Sequence, residues 1–172
     1  MTGKSIADNR ATLFAFFDQH NIAHETMDHP AFFTVEEGRD FKQQMPGGHS
    51  KNLFVKDKKG NLTLAVVHAD TRVDLVALGK TLGAKGRFSF AKAELMEQVL
   101  GVTPGSVTPF ALINDSDNAI AHVVIDEAFM TFEKVWFHPL QNTASTAISP
   151  QDLLQFVKLC GHEPKLMSLM SD

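Results

Sequence analysis

The stretch MPGGHSKNLFVKDKKGNLTLAVVHA, residues 45–69, decides the architecture. Two β-rich runs, 50–57 and 61–69, are joined by Lys58-Lys59-Gly60-Asn61, a turn composition that predicts an antiparallel hairpin. In an extended chain alternate side chains share a face, so Lys51 projects with Leu53 and Val55 while Asn52 projects with Phe54. An ammonium group therefore heads an apolar strand face, directly after a two-glycine turn. Core packing alone does not call for one there.

Working outward, residues 5–20 place Ile6, Leu13, Phe14 and Phe17 at helical spacing, with Thr2 or Ser5 as the cap. HETMDH, 24–29, reads as extended and stops at Pro30. A short helix is expected over 34–40, from Thr34, with Glu36 and Glu37 in its first turn where the helix dipole favours them. Asp74–Leu82 and Ala91–Leu100 read as helices, the second stopped by Gly101. Phe110–Asn114 and Ala119–Ile125 are expected to pair as a second hairpin, and Thr131–Phe137 to form a further strand. The last helix has Ser149 as cap and Pro150 in its first position. About six strands with four or five helices, often in hairpins, indicate an α+β fold: one domain spanning 1–172, a mixed and mostly antiparallel sheet flanked by helices.

Composition sets limits on function. Hydrophobic residues make up 44% of the 172 and charged residues 21%, ordinary for a soluble domain, and no apolar run approaches the roughly 20 residues of a membrane span. The opening MTGKSIADNR lacks the apolar core of a signal peptide. The lone Cys160 permits neither an internal disulfide nor a cysteine zinc cage, so a cytoplasmic location is expected. The net charge of −4 conceals an asymmetry. Residues 39–92 hold eleven Lys or Arg against four Asp or Glu, a local balance of +7 that leaves −11 for the rest. A positive face able to attract phosphates is compatible with that distribution, as are solvated lysines on surface turns.

Several familiar chemistries fail on spacing. His24-Glu25 followed by His29 resembles a zinc-protease signature, but histidines five apart diverge on a helix and face opposite sides of a strand, so no metal is expected. Neither GxxxxGK[ST] nor GxGxxG occurs, no other cofactor is indicated, and GGHS at 47–50 lacks the nucleophile-elbow pattern. Cys160 falls on the apolar face of the last helix, where a buried thiol is expected. Three polar segments remain: His49-Ser50-Lys51-Asn52, the loop GVTPGSVTPFAL at 101–112, and WFHPLQNTAST at 136–146.

Together with HPAFFTVEE, 29–37, these stretches resemble the YbaK and prolyl-tRNA synthetase editing-domain superfamily, in particular its free-standing alanyl-tRNA(Pro) deacylases of the ProX or PrdX type. GGHSKNLFVKD (47–57), GVTPGSVTPFAL (101–112) and FHPLQNTASTAIS (137–149) follow in that family's order. Ala31, Ser50 and Ser145 depart from it, standing where the family often has proline, threonine and threonine. The resemblance implies hydrolysis of a mischarged aminoacyl ester at the tRNA 3′ end, with the acceptor end of aminoacylated tRNA(Pro) as partner and a prolyl-tRNA synthetase as a further one. It maps the principal functional residue to Lys51, with Asn52 beside it, the substrate loop to Gly101, Pro104, Gly105 and Ser106, and a histidine to His138.

An aminoacyl ester is already activated, so the protein must position water, stabilise an oxyanion and hold the ribose. On that reading Lys51 binds the terminal ribose or phosphate as a point charge, and N–H groups of the 101–106 loop polarise the ester carbonyl. Sparing proline requires a small pocket, with Phe32, Phe33, Val35 and Met45 as candidate walls and His49 nearby. Two alternatives stay open: a Cys-tRNA(Pro) deacylase of the same fold, and a non-catalytic tRNA-binding or regulatory module.

Overall fold

The structure, a computed structural model, describes residues 6–31 and 35–169, without the side chains of residues 6–8, 35–37 and 40. Phe32, Phe33 and the cap candidates Thr2, Ser5 and Thr34 lie outside the described residues, as does the side chain of Val35. Helix α1 spans Ile6–Gln19 and delivers Leu13 and Phe17, both fully buried, to the core. It leads into β1, Glu25–Asp28, and then α2, Val35–Gln43.

The hairpin forms as its turn predicts. Strand β2, Ser50–Lys56, pairs antiparallel with β3, Leu62–His68, setting Lys51 opposite Val67 and Leu53 opposite Ala65. Asp57 holds the turn. Its carboxylate accepts hydrogen bonds from the N–H groups of Lys59 (2.9 Å), Asn61 (2.9 Å) and Lys85 (3.0 Å), and from the Asn61 side chain (2.9 Å). These bonds, led by the one from Lys85, lower its pKa from 3.8 to about 2. A depressed carboxylate pKa adds stability that is complete above the unfolded value and disappears as pH falls through the folded one. Asp57→Asn therefore melts below wild type at pH 7, and the difference narrows as pH drops from 3.8 to about 2, a trend that thermal melts across this range will record.

After β3 come α3 (Leu75–Leu82), the short β4 (Ser89–Phe90) and α4 (Ala93–Leu100). Asp74 caps α3, accepting from Ala77 N–H at 3.0 Å, and left-handed glycines, Gly83 and Gly101, end the two helices. The second expected hairpin does not form. Pro109–Asn114 is a run of 3-10 turns, and its neighbour β5, Ile120–Asp126, lies parallel to β3. The cause is local: Pro109 offers no N–H to a ladder, and the Thr108 hydroxyl accepts from Phe110 N–H at 3.2 Å, starting a turn. Asp115 then bonds Ala119 and Ile120 N–H and, at 3.0 Å, the buried His162, closing the connection. Phe110, Ala111 and Leu112 are all buried in succession, which a half-exposed strand would not allow.

The expected strand over 131–137 is likewise shortened to β6, Val135–Phe137, because Asp126 caps a 3-10 turn over Glu127–Thr131. Strand β7, Ala144–Ile148, is followed by α5, Pro150–Leu159, with the expected Ser149 cap, and by β8, Pro164–Met167. Among the described residues eight strands, against an expected six or so, make two sheets: β1-β7-β6, all antiparallel, and β4-β2-β3-β5-β8, in which β3, β5 and β8 run parallel.

One face of the larger sheet carries Phe54, Leu64, Val66, Val123 and Ile125 into the main core. There Phe110 makes edge-on contacts with Phe17, Phe137 and Phe156 at centroid distances of 5.1, 5.5 and 5.6 Å. The opposite face holds Leu53, Ala65, Val67 and Val124 beneath Leu78 of α3. Cys160 lies at the end of α5 with its thiol pKa pushed up to about 12, first by burial and then by Asp115. Among the described residues no helix is long and apolar enough to cross a membrane.

Candidate active site

The residues of the 46–50 turn strap the two sheets together. Gly48 N–H donates to Lys134 carbonyl at 3.0 Å and Trp136 N–H donates to Gly48 carbonyl at 2.8 Å, forming a parallel bridge to Val135. The Trp136 indole donates to Pro46 carbonyl at 3.0 Å, and the Ser50 hydroxyl to Trp136 carbonyl at 3.1 Å. Glycine is obligatory here. Gly47 has φ +129, and a Cβ at that position would lie 2.4 Å from the Lys134 carbonyl oxygen; one at Gly48 would lie 2.9 Å from the Phe132 ring. Gly47→Ala is expected to cost roughly 2 kcal/mol or more in urea unfolding.

Two cavities meet at this seam. The smaller, about 160 Å³, is lined by Met45, His49, Ser50, Trp136, His138 and Ser145, among others. The second, about 230 Å³, is lined by Ser50, Lys51, Asn52, Pro104, Gly105, Val107 and His138. Ser50 and His138 belong to both linings, so the cavities adjoin. The second opens along β2 at residues 50–52, where β4 does not reach: β4 pairs only with Val55 and Lys56.

Apart from Phe32, Phe33 and Val35, the candidate site residues each have a place. Lys51 is exposed at the cleft. Asn52 lines the same cleft, and its amide donates to Val107 carbonyl at 3.1 Å and, more weakly, to Ser50 Oγ at 3.4 Å, tying β2 to the proline-glycine loop. Pro104 and Gly105 line the cleft, but Gly101 and Ser106 do not. Gly101 N–H closes α4 onto Met96 and Glu97 carbonyls, and the buried Ser106 donates its N–H to Thr103 carbonyl at 2.9 Å. Of the loop residues that line the cleft within 101–106, Pro104 has no N–H and Gly105 has one.

Met45 and His49 do line the smaller cavity. His49 Nε2 faces Met45 carbonyl at 2.8 Å, and His138 Nδ1 faces Ala144 carbonyl at 2.9 Å. A carbonyl oxygen only accepts, so each of those nitrogens carries the proton. Burial lowers both pKa values, keeping the rings neutral at pH 7 and leaving His138 Nε2 with its lone pair. The His49 ring lies nearly parallel to the Trp136 indole, 6° between planes at 6.5 Å.

The smaller cavity is also lined by Lys42, Ser50, Trp136, Phe137 and Ser145, to which the sequence alone assigns no site role, although Ser50, Trp136, Phe137 and Ser145 fall within its polar segments. Trp136 precedes His138 by two residues along one strand direction, and that alternation was the available signal. Ser145 is 8% exposed, and its hydroxyl pairs with His29 Nε2 at 2.8 Å, a contact across 116 residues that local patterning does not encode. His24, which the sequence sets beside His29, instead stacks on Phe14 at 5.0 Å and pairs with Asp18.

Residues 29–156 match the family described as the aminoacyl-tRNA editing domain. The chain belongs to that family. Among curated relatives of this editing domain is the prolyl-tRNA synthetase associated domain-containing protein 1 of Mus musculus, 42% identical over 151 residues, covering 86% of this chain and 88% of the relative. Another is the prolyl-tRNA editing protein ProX of Acetoanaerobium sticklandii, 31% identical over 163 residues and covering 94% and 98%. A solved structure with a proposed trans-editing role for prolyl tRNA synthetase superimposes with a TM-score of 0.74 over 98% of this chain and 100% of its own, at 19% identity. That likeness concerns the fold.

Proposed function

We propose that this editing domain is a trans-acting hydrolase that removes mischarged alanine from tRNA(Pro). The observation that supports it is the pairing of cavities: a small compartment of about 160 Å³ that joins, through Ser50 and His138, a cleft bearing Lys51 and Gly105. The aminoacyl side chain enters the compartment and the terminal adenosine occupies the cleft. The ester then lies at the junction.

Lys51 holds the terminal ribose or phosphate electrostatically, and Gly105 N–H faces the ester carbonyl as negative charge develops on it. The His138 lone pair takes a proton from the attacking water as its oxygen bonds to the carbonyl carbon, and when the tetrahedral intermediate collapses by breaking its bond to the ribose oxygen, His138 Nε2 returns that proton to the ribose oxygen. His29 Nδ1–H donates to Pro30 carbonyl at 2.9 Å and its Nε2 pairs with the Ser145 hydroxyl at 2.8 Å, which holds that hydroxyl at the wall of the compartment where the substrate's amino group enters. Asn52 acts through position, by fixing the loop that carries Gly105.

Incubating the protein with Ala-, Cys- and Pro-tRNA(Pro) and with Ala-tRNA(Ala), and following release of each amino acid, tests this reading. Loss of alanine from tRNA(Pro) alone is expected. Preferential loss of cysteine would reassign the substrate, and no release from any of the four would leave a tRNA-binding role without catalysis.

A further inference from the structure

A cavity larger than either of these shares no lining residue with the site just described. It is an open groove of about 530 Å³ between the β2–β3 turn, α3 and the segment before β4, and its lining includes Lys58, Lys80, Arg87, Val76, Gly79 and Phe88 and no carboxylate. All three cations are exposed, and Val76 is 55% exposed. The nearest acids are otherwise engaged: Asp57 is turned into the hairpin, and Asp74 caps α3. Lys58 is held in place, its N–H donating to Lys85 carbonyl at 2.8 Å and its stem lying across Gly86, where a Cβ would come within 2.5 Å of Lys58 Cδ.

Sheet geometry connects this groove to Lys51. Lys51, Leu53 and Val55 project to one face of β2, the face that α3 covers through Leu53 and Leu78. Phe90 pairs with Val55, so its ring emerges on that same face, and it is 61% exposed. From Lys51 the face therefore runs past an exposed aromatic ring to three cations, over about 20 Å at the rise of an extended strand.

We infer that the groove of Lys58, Lys80 and Arg87 binds the phosphate backbone of the RNA whose 3′ end lies at Lys51, with Phe90 stacking against a base or ribose between them. The inference rests on the proposed tRNA substrate. Convergent cations without carboxylates suit a polyanion, RNA duplexes are recognised chiefly through backbone and shape, and an exposed phenyl ring offers a sequence-tolerant stacking surface. It also gives a purpose to the positive balance of residues 39–92 in a chain of net charge −4.

The test measures binding of uncharged tRNA(Pro) transcript across a salt series for wild type and for the triple variant K58Q/K80Q/R87Q, whose sites are at the surface. Alanine release is compared on full Ala-tRNA(Pro) and on an alanyl-ester of the trinucleotide CCA, too short to reach the groove. The variant is expected to lose about 10-fold or more in tRNA affinity, with the salt slope reduced by about 2, while release from the trinucleotide is unchanged. F90A should weaken tRNA binding without altering the salt slope. Unchanged tRNA affinity and slope in the triple variant would overturn the inference, and would do so equally if the variant instead lost capture of an acidic protein. A wild type that binds tRNA through these cations but releases no amino acid would refute the hydrolase reading and leave the groove intact.

Discussion

Lys51→Ala lowers the single-turnover release of alanine from Ala-tRNA(Pro) by about 100-fold or more at saturating substrate, the usual consequence of removing one preorganised charge or donor from a reacting centre. The side chain is exposed, so its removal opens no core cavity, and the melting temperature should stay within a degree or two of wild type. Saturation separates two roles. A residue that only attracts RNA raises KM and leaves the plateau rate alone, whereas one that stabilises the transition state lowers the plateau itself. Lys51→Arg keeps the charge but spreads it over a planar fork, and should recover a minor part of the rate. A Lys51→Ala protein with the full plateau rate would remove Lys51 from the chemistry.

Met45→Ala shifts discrimination rather than rate. Met45 is 2% exposed and lines the small compartment, so cutting it back enlarges the space that excludes the proline ring. The ratio of proline to alanine release is expected to rise by about 10- to 100-fold, the range that a single methylene of pocket space produces. The same truncation costs about 2–5 kcal/mol of stability, so Met45→Val, a smaller cut, serves as the companion variant and should shift the ratio in the same direction by less. Release of both amino acids is followed on the two charged forms of tRNA(Pro). An unaltered ratio in both folded variants would place the discriminating wall elsewhere.

What was legible in the sequence was whatever local chemistry dictates. The turn at 58–61, the Ser149 cap and the glycine stop at 101 act over a few residues, and the corresponding elements form where spacing puts them. The run 110–114 misled because buried apolar residues in succession look alike in a central strand and in a 3-10 turn crossing a core. Strand β8 gave no advance sign, since its existence depends on β5 offering a parallel edge. The site divides in the same way. Lys51 was conspicuous because it violates its own strand's pattern, while the bond of Ser145 to His29 spans 116 residues and the tether from Asn52 to Val107 spans 55, distances that local patterning does not encode. The resemblance grouped Gly101 and Ser106 with Gly105, and in the fold their N–H groups serve α4 and the 3-10 turn.

The strap at residues 46–50 joins two sheets that contribute different things. Trp136, His138 and Ser145 belong to β6, β7 and the connection between them, whereas Lys51 is carried by β2 of the larger sheet. On the proposed reading the two parts share the work: the three-stranded part brings His138 together with Trp136 and Ser145 of the compartment wall, and β2 brings Lys51. Substitutions at 136 and 145 that spare His138 are then expected to retune which side chain is admitted while Lys51 stays anchored in the larger sheet, so a mutant library confined to those wall positions is the economical route to a new amino-acid preference.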